Sequence, residues 1–148
     1  MSSDAIVVGT DGSATADVAV ERAAELARAL GAAVHVVTAY SSGSSGAWMA
    51  GSAGMAVPFV ADDESPRHSA QEIVDRTSAR LKREGIQVAT HVCQGDPAEA
   101  LITIAGEEKA QMIVVGNRGM AGARRVLGSV PNRVSHRARC GVLIVPTS

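Results

Sequence analysis

Residues 112–130 read MIVVGNRGMAGARRVLGSV. The run 112–115 is wholly apolar and ends on Gly116; Gly119 follows, and Gly128 stands directly before Ser129. Four apolar residues closed by glycine predict a strand covered on both faces, the kind found in parallel sheets flanked by helices. The glycines remove Cβ atoms that would hold an anion away from backbone N–H groups, and a helix opening at Ser129 would aim its positive end at the same spot. Strand, phosphate cradle and helix are thus expected in succession. Arg118, Arg124 and Arg125 supply positive charge to the same stretch.

Working outward, the remaining elements alternate in type. An apolar run at 5–8 ends in Gly9; Ser13 is a good N-cap, and Ala16, Val20, Ala23, Ala24, Ala27 and Leu30 recur at helical spacing until Gly31. Residues 33–39, AVHVVTA, predict a buried strand ending near Tyr40. Ser65 and Pro66 read as the N-cap and first residue of a helix carrying Ala70, Ile73, Val74, Thr77 and Leu81, with Gly85 closing it. Residues 86–92 alternate apolar and polar, which suits an edge strand. Asp96, Pro97 and Glu99 then provide a cap, an N1 proline and a capping-box acid for a helix with Leu101, Ile102 and Ile104. A helix over 129–137 and a strand over 142–145 complete the chain.

Strict alternation with right-handed crossovers predicts an α/β fold: a five-stranded, doubly wound parallel sheet, with ligands binding beyond the carboxyl ends of the strands where the winding reverses. Gly9 and Gly116 both end strands, so their loops are expected to meet there. At 148 residues the chain is one domain's worth. With aromatics at 2%, small and branched aliphatics must fill the core. Residues 41–63, rich in glycine and serine, are expected to form a long flexible loop, although Tyr40, Trp48 and Phe59 lie at or inside it; a lid or a subunit contact is the alternative.

Composition narrows the setting. No apolar run approaches the ~18 residues of a membrane span, so no membrane association is expected. The start MSSDAIVVG lacks a basic, apolar leader, and Cys93 and Cys140 form no CxxC pair, which together point to a reducing cytoplasm. The net charge of −1 conceals an asymmetry, since every acidic residue precedes Lys109 while Arg118, Arg124, Arg125, Arg133, Arg137 and Arg139 follow it. Arg137 and Arg139 suit the C-terminal end of a helix dipole. No nucleic-acid partner is expected.

Several chemistries are excluded by their missing residues. There is no GxxxxGK[ST] loop, no GxGxxG after the first strand, and no acid closing the second. A phosphorelay receiver needs an aspartate at the end of the third strand, where Val92 and Cys93 stand. His35, His68, His91 and His136 are scattered in sequence, and only His136 with Cys140 has the i, i+4 spacing of half a metal site; ordinary positions account for all four, and no metal site is expected. Nothing is placed as a base for activating water, so no catalytic residues are assigned. Asp11, just past the first strand, can accept hydrogen bonds from ribose hydroxyls, or can simply cap the helix that follows.

Taken together, VVGTDGS near the start, a strand ending TAY, IVVGNRG, LGSVPNRV and the closing VLIVP resemble the universal stress protein family, in its nucleotide-binding branch, along essentially the whole chain. The family pattern G-x2-G, about nine residues, G-[ST] is matched by Gly116, Gly119, Gly128 and Ser129, with eight residues, 120–127, in the gap. That shorter gap either tightens the loop in favour of a mononucleotide or cyclic nucleotide, or is absorbed without effect. The resemblance implies a Rossmann-like sheet of order 3-2-1-4-5 and ATP as ligand, with Mg2+ where a triphosphate is held; cyclic AMP or AMP is the alternative. It implies that Asp11 binds ribose, that Thr10 and Ala39 line the adenine pocket through backbone groups, that Val115 packs near the base and Gly116 against the sugar, and that Gly119, Gly128, Ser129 and Val130 hold the phosphates. Gly9 and Arg118 complete the expected site. For Ala39 and Val115 a core role is equally well supported. The resemblance also implies a homodimer formed through the last strand.

Overall fold

The computed structural model describes residues 4–41, 64–117 and 128–147. The elements are β1 (Ala5–Gly9), α1 (Ala14–Leu30), β2 (Ala33–Tyr40), α2 (Glu64–Arg83), β3 (Val88–Gln94), α3 (Pro97–Glu107), β4 (Met112–Gly116), α4 (Ser129–Arg137) and β5 (Gly141–Val145). Apart from Ser41, the stretch expected to be a loop lies outside the described residues, as do Arg118, Gly119, Arg124 and Arg125.

The strands form one five-stranded sheet of order β3-β2-β1-β4-β5, as anticipated. Every pairing is parallel; β1 is central, with Val7 opposite His35 on one side and Ile113 on the other. Side chains of alternate parity then feed two cores. Ile6, Val8, Val34, Val36 and Val114 pack under α1 and α2, whereas Val7, Val37, Ile113 and Val115 pack under α3 and α4. Each fully buried valine here contributes about 1.5–3 kcal/mol of transfer free energy, which is how a chain nearly free of aromatics makes a core.

Local signals explain most boundaries. The Ser13 side chain accepts from the Ala16 amide, and α1 ends where Gly31 adopts φ +67°, a left-handed conformation that disfavours a Cβ. Its buried face, Ala19, Val20, Ala23, Ala24 and Ala27, is small, so the helix lies close on the sheet. Leu30, placed on that face by spacing, is instead 48% exposed.

Two boundaries and one capping role differ from expectation. Helix α2 starts at Glu64, so Ser65 and Pro66 lie within its first turn, where a proline sacrifices no intrahelical bond. Strand β3 is an edge strand as expected, but it runs two residues later, because pairing with β2 from Val34↔Val88 to Tyr40↔Gln94 sets its extent. Ile86 is buried before the strand begins. Asp96 does cap α3, accepting from the Glu99 amide at 2.9 Å. The Glu99 carboxylate, however, turns to Arg133 and Arg137 of α4, so Arg137 is an ion-pair partner as well as a last-turn cation. Among the described residues no helix is long and apolar enough to cross a membrane.

Candidate functional site

The two glycine-ended strands β1 and β4 are neighbours, and helices α1 and α4 follow them on opposite faces of the sheet, so their loops open a crevice at the carboxyl edge. A cavity of about 540 Å3 occupies it, within the size range of small-molecule sites. Of the expected site residues, Gly9, Thr10, Asp11 and Ala39 line one side, while Val115, Gly116, Gly128, Ser129 and Val130 line the other. Arg118 and Gly119 fall outside the described residues.

On the β1 side the backbone is tightly fixed. Thr10 donates its amide to the Val37 carbonyl at 3.0 Å and accepts from the Thr38 hydroxyl at 2.8 Å. The amide is committed to the sheet, and Thr10 lines the cavity wall. The Thr10 hydroxyl accepts from the Gly12 amide, and Gly12 takes φ +83°, so Gly12 serves the turn. Asp11 is exposed beside the cavity, with Oδ1 accepting from the Ser13 amide at 3.0 Å. The helix cap itself is Ser13, so Asp11 orients the turn before the helix and presents its carboxylate at the cavity.

On the other side α4 opens without a side-chain cap: Gly128 is the N-cap with φ −61° and ψ 163°. The amides of Ser129 and Val130 are thus first-turn donors with no intrahelical acceptor, and Pro131 has no N–H to add. Together with the dipole of a nine-residue helix they turn positive character toward the cavity wall. Helix α4 is held in place by Arg133, which reaches the cap residue Asp96 of α3 at 2.7 Å.

Other lining residues carried no sequence signal. Thr15, Ala16, Val37, Pro97, Leu101, Pro131 and Thr147 complete the walls. Thr147 is folded back by Asn117, whose side-chain oxygen accepts from the Thr147 amide at 2.9 Å and its hydroxyl at 2.8 Å. A Cβ on Gly116 would stand 2.9 Å from the Thr147 methyl, so this glycine makes room for the chain's own C-terminal segment. On Gly9 a Cβ would meet Leu101 at 3.2 Å, the contact by which α3 closes the cavity floor.

The reading of the histidines needs two corrections. His35 and His91 are adjacent, bonded Nδ1 to Nε2 at 2.9 Å, because β2 and β3 pair in register. Burial and then His35 hold the His91 imidazole below its ordinary range, against an upward pull from Glu108 and Glu107. Conversely, His136 and Cys140 do not share a helix face, since α4 ends at Arg137.

Comparison with known proteins follows the same lines. The model of the universal stress protein family matches residues 3–146. A universal stress protein of Mycobacterium tuberculosis is 38% identical over 149 aligned residues, covering 97% of this chain and 96% of its own. Among solved structures, a universal stress protein in complex with cAMP is 33% identical, with TM-score 0.72 and full coverage of both chains at 100%. A universal stress protein from Archaeoglobus fulgidus in complex with dAMP is 25% identical, with TM-score 0.68, covering 97% of this chain and 98% of that one.

Proposed function

Because the chain belongs to the universal stress protein family, we propose that it is a regulatory protein that binds ATP in the β1–β4 crevice and alters its surface or partner contacts on doing so. The observation that carries this reading is the convergence on one cavity of an exposed carboxylate, Asp11, and the uncapped first turn of α4. A carboxylate suits vicinal ribose hydroxyls, while two amides and a helix dipole suit phosphate oxygens. Val37, Ala39 and Val115 give the apolar surface a purine ring needs. With a triphosphate, Mg2+ would come with the phosphate oxygens, which are its preferred hard ligands.

A second reading, cyclic AMP or AMP as the ligand, is supported by the nucleotides that the two compared structures hold. Calorimetry with ATP, AMP and cyclic AMP on nucleotide-free protein separates the two. Tightest binding of ATP supports the first reading, and a preference of tenfold or more for cyclic AMP replaces it with the second. Failure to bind any adenine compound overturns both.

The protein is read as a binder and not an enzyme, since Asp11 is the one carboxylate among the described residues lining the cavity and already accepts from Ser13. Sustained ATP turnover that disappears in Asp11→Ala would contradict this. The assembly is proposed to be a homodimer through β5, an outer strand whose Val142, Leu143 and Ile144 are only partly buried. Equilibrium sedimentation at micromolar concentration checks it, and a monomer there counts against it.

A further inference from the structure

On the α3 face of the sheet, next to the crevice, lies a polar cluster that the proposed function does not use: His91 is the register partner of the cavity-lining Val37. His35 interrupts the apolar run of β2 and is 9% exposed, on the face under α3. A buried imidazole in a strand of valines gives up transfer free energy unless its ring nitrogens are engaged. One nitrogen faces His91 of β3 at 2.9 Å, and the rings lie nearly parallel at 21° with centroids 5.2 Å apart. The other, Nε2, stands 4.0 Å from a carboxylate oxygen of Glu108, the residue that ends α3. That distance is too long for a hydrogen bond, so the carboxylate faces the ring across a gap.

We propose that His35, His91 and Glu108 form a binding site for a zinc-class divalent cation, which ties the edge strand β3 to the C-terminal end of α3. One donor atom from each of the three side chains lies within 4.8 Å of the others. Ligands of a tetrahedral ion at ordinary bond lengths stand about 3.3 Å apart, so closure needs shifts of no more than about 1.5 Å. Glu108 is exposed at a helix end and His91 is only half-buried on an edge strand, so side-chain rotation suffices for both. Two imidazoles and a carboxylate select zinc-like ions over Mg2+ or Ca2+, which take oxygen ligands. The adjoining Glu107 adds negative charge near His91. Both rings bind as neutral ligands, with the proton now shared between them moving to a nitrogen that faces away from the ion, so occupancy needs no net proton release. Three protein ligands leave a fourth position for water.

The site is separate from the nucleotide crevice. None of its three residues lines that cavity. Pro97 at the start of α3 lies on the cavity wall, whereas Glu108 closes the far end of an eleven-residue helix, about 16 Å away along its axis.

The test is calorimetric titration of Zn2+ alone into the chelator-treated, nucleotide-free full chain, alongside His91→Gln, Glu108→Gln and His136→Ala. One equivalent should bind the unaltered chain and raise its melting temperature, and His91→Gln and Glu108→Gln should each weaken binding tenfold or more. His136→Ala should change nothing. Binding well below one equivalent, binding unaffected by both site substitutions, or binding lost in His136→Ala would each overturn the proposal. Should His91→Gln not fold, Co2+ added to the unaltered chain decides: broadening of the ring resonances of His35 and His91, while those of His68 and His136 stay sharp, supports the site, and any other pattern refutes it.

Discussion

The anion site proposed on α4 can be probed by deleting a backbone donor without disturbing the helix. In Ser129→Pro the substituted residue occupies the first position of α4, where proline is favoured and the missing N–H breaks no intrahelical bond. The residue before it must leave the α region, and Gly128 at φ −61°, ψ 163° already has. Proline at a compatible position stabilises, so the folded state should be unharmed or gain up to about 1 kcal/mol. Binding of a phosphate-bearing ligand, in contrast, loses an amide donor to a charged group, worth about 1.5–3 kcal/mol. That corresponds to roughly 10- to 150-fold in affinity. The assay is calorimetry with ATP and with adenosine on both proteins, with thermal melting as the check on folding. ATP should weaken by that factor while adenosine, which has no phosphate, stays within about twofold. Ser129→Ala separates the hydroxyl from the amide by removing the hydroxyl alone. Unchanged ATP affinity in a Ser129→Pro protein of undiminished stability would refute the cradle.

Three further outcomes are expected. Asp11→Ala should weaken adenosine as well as ATP by ~1–3 kcal/mol, with little loss of stability because its bond to Ser13 is exposed; equal affinity for adenosine in variant and parent removes Asp11 from the ribose role. Leu101→Ala, emptying a side chain that is 2% exposed, should lower stability by about 2–3 kcal/mol, the low end of such truncations because part of the void opens into the crevice; urea unfolding measures it, and a loss below about 1 kcal/mol contradicts the packing described. Burial pushes both thiols above their ordinary range, with Glu107 adding to the effect at Cys93. Thiolate is then scarcer at neutral pH than in the unfolded chain, so Ellman's reagent should react several-fold more slowly with folded than with urea-unfolded protein at pH 7.5, and accelerate above pH 9; equal rates in the two states would show both thiols to be fully solvated.

By itself the sequence determined the alternation of elements, the faces they bury and the place of the crevice. These follow from short-range rules: valine-rich runs closed by Gly9 and Gly116, Ser13 and Asp96 as caps, Gly31 as a stop. Local physics also located Gly9, Asp11, Gly116, Gly128 and Ser129 at the cavity, because strand ends and helix starts can be read one segment at a time, while Thr10, Ala39, Val115 and Val130 came from the family resemblance. Only the tertiary structure decided which distant residues meet. The Thr10 amide is committed because β1 and β2 pair at one register, and the Thr147 methyl lies over Gly116 because Asn117 draws Thr147 across it. His35 and His91 are 56 positions apart, and a shift of one residue in the β2–β3 pairing would send the His91 ring to the opposite face of the sheet. Such contacts depend on register and on helix placement, which the packing of the whole sheet fixes and no single segment encodes.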